Sequence, residues 1–525
     1  MKRACLLSLL LVSCGGPAPE PREYPPLVDE SAGDEQPTVV LEREALRDGP
    51  RLVVQRGASP VVTWRVAFDA GSAEDGEGRE GLTMLTARTM AEGGAGDLSF
   101  AELSARLYPM AGQISVHVSR DQTVFVGQVH RDHAEAFYEL FRDVIVRPRM
   151  TDEDFARIST QMTTALTVDL RNAEDEELGK QALQSLLYAG HPFEHPALGT
   201  EAGLGRLRAD DARAHRSRVF CSGRATVAIA GDFPAELAQR AERDFSRLTS
   251  DACVGRQQLP EPTIPDAPRV LIVEKPAARA TAVSMGFPFS VTREHPDYPA
   301  LVLATAWLGQ HRQFVGRLMQ SIRGERGMNY GDYAYAEHFT QEGWSRFPVP
   351  NDGRRQQYFS IWLRPLRPET AHFAIRLAVR ELRRLASDGI TAEQFEHIRG
   401  FASQYFALYL QTASRRLGYA MDDAFYGADE PYLERLRSAW AALTVEELNA
   451  AVQRHLQPEH LSIAIVAADA AGLAAAIASE APSPMTYDAE VPAAVLEEDR
   501  AVVGYELGIP RERIEIVPLA QMFAD

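Results

Sequence analysis

The sequence predicts an α+β protein in which two homologous α/β halves face each other across a clamshell chamber. Three observations predict it. Strand-like and helix-like segments alternate from about Val39 onward, their order repeats at an offset of about 220 to 240 residues, and a proline-spaced stretch divides the two copies. At 525 residues the chain exceeds what one hydrophobic core usually serves, so two or more domains are expected.

Before the first copy, Lys2 and Arg3 form a basic start, Ala4 to Val12 a short apolar run, and Leu11-Val12-Ser13-Cys14 is followed by Gly15-Gly16. That order resembles a bacterial lipoprotein signal (residues 1–13), cut before Cys14, which then carries lipid; the alternative is a secretory signal with an incidental cysteine. The run is far too short to cross a hydrocarbon core about 30 Å thick. Gly15 after the cysteine resembles lipoproteins sent on to the outer membrane. The expected location is therefore the cell envelope, on the periplasmic face of that membrane, held by lipid on Cys14. Residues 14–40, with Pro17, Pro19, Pro21, Pro25, Pro26 and many acids, read as a flexible tether.

The first copy, residues 41–255, opens with β-branched and aromatic residues over Val61 to Ala70, and Arg131 to Val144 places Phe137, Leu140, Phe141 and Val144 at helical spacing. Thr151-Asp152-Glu153-Asp154-Phe155 reads as a helix N-cap, and Thr391-Ala392-Glu393-Gln394-Phe395, after a helix from Glu369 to about Ser387, echoes it. Thr63 to Ala70 likewise has its counterpart in Thr281 to Phe289, and Ala225 to Asp232 in Leu461 to Ala468. Residues 256–268 contain Leu259-Pro260-Glu261-Pro262-Thr263-Ile264-Pro265, a stiff linker. The second copy spans 269–480, and residues 481–525 form a tail without an assigned element.

Lys and Arg total 55 against 73 Asp and Glu, a balance of -18 that repels phosphate backbones and excludes nucleic acid as an expected partner. Cys221 and Cys253 either pair in an oxidising compartment, closing a loop of about thirty residues worth roughly 3–4 kcal/mol, or are two separate buried thiols. Neither has the spacing of a metal site.

At Gly71-Ser72 a strand ends, and an acidic, glycine-rich stretch leads through Glu80-Gly81-Leu82 into a helix. This passage, with the duplication, resembles the insulinase/pitrilysin family of zinc peptidases over nearly all of residues 45 to 480. In that family the helix carries an H-x-x-E-H motif whose histidines bind zinc while the glutamate is the general base. The resemblance implies a duplicated peptidase-like domain with antiparallel-rich sheets flanked by helices. Registering Gly81-Leu82 on the family's Gly-Leu puts Met84, Ala87 and Arg88 where the first histidine, the glutamate and the second histidine belong. A thioether is a poor zinc ligand, a methyl group moves no proton, and a guanidinium has no lone pair to give. Gly81 to Met90 contains no histidine or carboxylate, and Ile158 to Val168, where the family's third ligand would fall, contains no carboxylate.

His191-Pro192-Phe193-Glu194-His195 matches H-x-x-E-H letter for letter. The motif works only on a helix, where positions i and i+4 share a face. Gly190, Pro192 and Pro196 break that helix, so the segment reads as a structural loop, with His191 and His195 as the only alternative metal ligands. It also resembles a His-Pro-Tyr/Phe loop of the family.

In the second copy, Arg323 and Tyr330 have the spacing of an arginine and tyrosine with which the family holds the substrate backbone. The resemblance makes them substrate-binding residues; the bland alternative is a solvated arginine and a core tyrosine. Tyr333, Tyr335 and His338 are candidates to line the same chamber, or a strand with alternating tyrosines.

An empty zinc site beside a retained substrate arm resembles the non-catalytic subunits of heterodimeric family members. Three functions follow as expectations: a non-catalytic lipoprotein that binds extended peptides and pairs with an active zinc-peptidase subunit, needing no cofactor; a metallopeptidase with an atypical zinc site; or a standalone envelope peptide-binding or scaffold lipoprotein.

Overall fold

The computed structural model describes residues 42–525 apart from Glu342, Trp344, Asp488 and Ala489. The expected signal, the lipidated Cys14 and the tether of residues 14–40 lie outside the described residues. No described helix is long and apolar enough to cross a membrane.

Five strands form the first sheet: β1 (Arg51–Arg56), β2 (Val61–Phe68), β3 (Gln113–Val118), β4 (Thr123–His130) and β5 (Ala225–Gly231), in the order β1-β5-β2-β4-β3. The pair β1/β5 is parallel and the rest antiparallel. Every residue of β2 after Val61 is buried, as an apolar strand covered on both faces requires. One cover is the Ala134–Val146 helix, whose Phe137 and Phe141 lie over β4; a Cβ on Gly127 would come within 2.8 Å of both rings.

The second sheet contains β6 (Arg269–Glu274), β7 (Thr281–Phe289), β8 (Asp332–Tyr335), β9 (Gln357–Leu366), β10 (Ser462–Ala467) and β11 (Ile514–Pro518), in the order β11-β6-β10-β7-β9-β8. Its last five positions reproduce the first sheet strand for strand, with β6/β10 as the matching parallel pair. Thr151 and Thr391 cap equivalent helices, Asp152–Thr164 and Ala392–Tyr405, by accepting the N–H groups of Asp154 and Gln394. The two α/β halves are copies of one unit.

The halves trade helices. Asp175–Leu187, from the first half, packs on β7 and β10, where a Cβ on Gly179 would lie 3.7 Å from Ser284 and Val466. Ala413–Tyr426, from the second, packs on β1 and β5, with Leu417 and Met421 against Ala67, Val124, Ala228 and Ala230. Between them Arg355 holds Asp121 across the divide, its Nε and Nη2 donating to Oδ1 at 3.0 and 2.8 Å and its backbone N–H to Oδ2 at 2.8 Å.

Residues 481–525, expected only as a tail, are built into both halves. They supply the Ala493–Val503 helix and β11, which adds to β6 in parallel. Met522 and Phe523 then enter the first half's core, and the carbonyls of Phe523 and Ala524 accept the N–H groups of Glu201 and Ala202 at 3.1 and 2.9 Å. Cys221 and Cys253 form a disulfide with their Cα atoms 6.3 Å apart.

Candidate functional site

The helix that follows Gly81 runs from Leu82 to Glu92. Gly81 enters it at φ 99°, and a Cβ there would meet the carbonyl of Leu198 at 2.9 Å, so glycine is required twice over. Asp75 accepts the N–H groups of Gly81 and Thr83 at 2.7 and 2.6 Å, satisfying two donors of the first turn; full burial pushes its carboxyl up to about 7. Met84 lines a cavity between the halves, and Ala87 is wholly inside the core. Arg88 is committed to Glu92 at 2.8 and 2.9 Å and to Gln161 at 3.0 Å. On the Asp152–Thr164 helix Ile158 and Met162, and just beyond it Leu166, are core residues.

His191 to His195 form turns and bends, with no helix to bring the two rings to one face. His191 Nδ1 accepts the Phe193 N–H at 2.9 Å and its Nε2 meets the Pro260 carbonyl at 3.0 Å, while His195 Nδ1 meets the Pro196 carbonyl at 3.0 Å. Burial pushes both rings down to about 4, so they are neutral at physiological pH. Glu194 accepts the N–H of Gly190 at 2.8 Å. These bonds shape the loop.

Arg323 Nη1 donates to the carbonyl of Tyr330 at 3.1 Å and its guanidinium lies over the Phe314 ring. The Tyr330 side chain is at the surface, 79% exposed, and neither residue lines the cavity between the halves. Of the aromatic group expected at the chamber, His338 alone lines that cavity. Tyr333 and Tyr335 pack behind it in a cluster with Met319, Phe339 and Trp362, of which Phe339 and Trp362 reach the cavity.

The cavity itself has a volume of about 250 Å³ and draws its walls from both halves. The first half supplies the end of β3, Arg120 and the exchanged Asp175–Leu187 helix; the second supplies His338, Asp352 and Arg354. Arg120 donates through Nε to the carbonyl of Phe193 at 3.1 Å, and Arg354 through Nη2 to Gln184 at 2.8 Å. Burial and the charge of Arg354 push the Arg120 guanidinium down to about 9. Asp352 receives Thr340 Oγ1 and lies 3.1 Å from His338 Nε2; burial opposes its charge, but His338 and its cationic neighbours hold its carboxyl well below the usual range. His338 Nδ1 meets the Tyr358 hydroxyl at 2.9 Å.

Sequence reading missed Arg120, His117, Asp352 and Arg354. Arg120 sits in Ser119-Arg120-Asp121-Gln122, indistinguishable from an exposed turn, and Arg354-Arg355 reads as a solvated doublet.

Two family models match the chain: "Insulinase (Peptidase family M16)" over residues 51–201 and "Peptidase M16 inactive domain" over residues 206–400. A relative in Helicobacter pylori named "Non-peptidase homolog YmxG" is 20% identical, covering 76% of this chain and 88% of the relative. A Bacillus subtilis relative named "Uncharacterized zinc protease YmxG" is 18% identical, covering 81% of this chain and 98% of its own. Among solved structures, a peptidase M16 inactive domain from Pseudomonas fluorescens superimposes with a TM-score of 0.69 at 21% identity, covering 81% of this chain and 97% of that one. With the same strand order in both copies, the chain has the fold of the insulinase family of peptidases.

Proposed function

We propose that this chain is a non-catalytic insulinase-fold lipoprotein of the cell envelope that binds extended peptide between its halves and works beside an active zinc peptidase of the same fold. The observation that carries the reading is the helix after Gly81. Its three site positions hold a thioether, a core methyl group and a guanidinium already paired with Glu92, none of which activates a water molecule. The name of the Helicobacter pylori relative supports the same reading.

Peptide enters this scheme as a strand added along β3, an edge of the first sheet, whose last residues reach the cavity. Arg323 and Tyr330 are the proposed contacts to its backbone, made from the exposed side of the second half. Lipid on Cys14 holds the protein at the membrane.

Purification of the tagged chain from its native envelope, followed by metal analysis and a peptide-cleavage assay, tests the reading. We expect no stoichiometric zinc, no chelator-sensitive cleavage, and a co-purifying relative with an intact H-x-x-E-H. Bound zinc together with cleavage abolished by Glu194→Gln would replace this reading with a metallopeptidase centred on His191 and His195. Absence of any related subunit would leave a standalone peptide-binding lipoprotein.

A further inference from the structure

We propose that the cavity between the halves recognises a carboxylate, which Arg120 and Arg354 receive together. The inference rests on the peptide-binding reading and narrows it to peptides that present an acidic group, at the C-terminus or on a side chain.

Most buried cations of this molecule are paired with carboxylates. Arg171, Arg224, Arg326 and Arg376 are each at least nine-tenths buried, and each has a carboxylate partner: Glu201, Glu74, Glu498 and Glu480. Lys180 and Lys275 follow the rule with Glu176 and Asp175. Arg120 and Arg354 are buried as deeply, at 3% and 2% exposure, yet neither has a carboxylate oxygen within 4.0 Å among the described residues. Both line one cavity. A buried charge without a counter-ion costs several kcal/mol, and here two repel each other as well.

Charges facing the pair are few. Asp352 acts on both from a distance, but its Oδ2 is taken by Thr340 and His338. Glu177 is half exposed and 3.7 Å from Lys180, which Glu176 already neutralises at 2.9 Å. Residues lining the cavity carry buried donors without partners: Arg354 Nε and Nη1, His117 Nε2 and Trp362 Nε1. Asp352 Oδ1 and Gln341 Oε1 are the matching unpaired acceptors there. Water satisfies hydrogen bonds of this kind but brings no charge, so a water-filled cavity leaves the two guanidiniums with only more distant carboxylates such as Asp352. A carboxylate does both, through charge-assisted bonds.

Size narrows the class. At about 250 Å³ the cavity is smaller than the roughly 300–1,000 Å³ of whole-ligand pockets. It fits one chain end or side chain, with Met84, Leu198 and Phe339 as apolar walls for the stem.

The test uses the full chain and calorimetric titration with three versions of one otherwise neutral hexapeptide: free C-terminus, C-terminal amide, and amide with one central glutamate. We expect at least one carboxylate-bearing peptide to bind about tenfold or more tighter than the plain amide. Preference for the free terminus identifies the chain end as the ligand, and preference for the glutamate identifies a side chain. Arg120→Gln and Arg354→Gln should each abolish the preference, bringing the carboxylate-bearing peptides to the amide's affinity measured on the same variant, while Arg354→Lys retains it. Equal binding of all three peptides, or a preference that survives both glutamine variants, overturns the proposal. If no peptide binds, N-acetylglycine is titrated against N-acetylglycinamide. A preference for the acid that Arg354→Gln removes upholds the carboxylate site and sinks the peptide reading; equal or absent binding sinks the site itself.

Discussion

The Ala413–Tyr426 helix meets the first sheet through Leu417 and Met421, which close an apolar cluster with four residues of that sheet. Its counterpart in the exchange, Asp175–Leu187, buries Leu178, Ala182 and Leu183 in the core but turns Lys180, Gln181 and Gln184 toward the cavity. Duplication supplies the same packing twice, and divergence of a few side chains makes one junction a seal and the other a polar recess. A two-fold pseudo-repeat therefore presents two unlike junctions.

Acid is expected to expose this difference most strongly. His191, His195 and His338 are held neutral near the recess, burial pushing each from 6.5 down to about 4. Between those values the unfolded chain binds more protons, so their stabilisation is present above about pH 6.5 and is lost as pH falls through about 4. Each pKa unit is worth about 1.4 kcal/mol. Asp75, raised to about 7 by burial, acts in the opposite sense, its contribution fading as pH rises toward 7. Three histidines outweigh it. Hydrogen exchange from pH 6.5 to 4 should deprotect Asp175–Leu187 before Ala413–Tyr426; simultaneous loss would erase the distinction.

Removing the tie between the junctions comes next. Arg355→Ala leaves Asp121, whose side chain is 1% exposed, without its guanidinium, and should cost about 3–5 kcal/mol in denaturant unfolding. A loss under about 1 kcal/mol would mean that solvent reaches Asp121. On the sealed side, Leu417→Ala should cost about 3 kcal/mol and leave carboxylate binding untouched. Altered binding there would show that the two junctions communicate. The smallest effect belongs to Gly179→Ala: its Cβ meets Ser284 and Val466 at 3.7 Å, ordinary contact, so the melting temperature should hold or rise, within about 1 kcal/mol. A large drop would mark a tighter exchange than these distances describe.

What the sequence made legible was local. Thr281–Phe289 and Ala225–Gly231 are uninterrupted apolar strands, Thr151 and Thr391 announce helix starts, and Pro192 forbids the helix that His191 and His195 would need as ligands. The rest depends on partners far along the chain. Arg354 and Arg355 are identical neighbours in sequence; one pairs with Asp121 and the other turns into the recess, a choice made by residues more than 150 positions away. The spacing of Arg323 and Tyr330 was visible, but not that the guanidinium spends a bond on Tyr330's own carbonyl while the phenol stands in solvent. Strand β11 is short, ends in Pro518, and becomes a strand by pairing with β6, over 240 residues upstream.

That late strand carries a consequence for biogenesis. Synthesis and export both proceed from the N-terminus, so the segment bracing Glu201 and Ala202 emerges after everything it braces. Until then β6 is a bare template for foreign strands, and the hole filled by Met522 and Phe523 is open to water. A chain lacking Ile514 to Phe523 keeps both defects, which should raise its exposure to proteolysis.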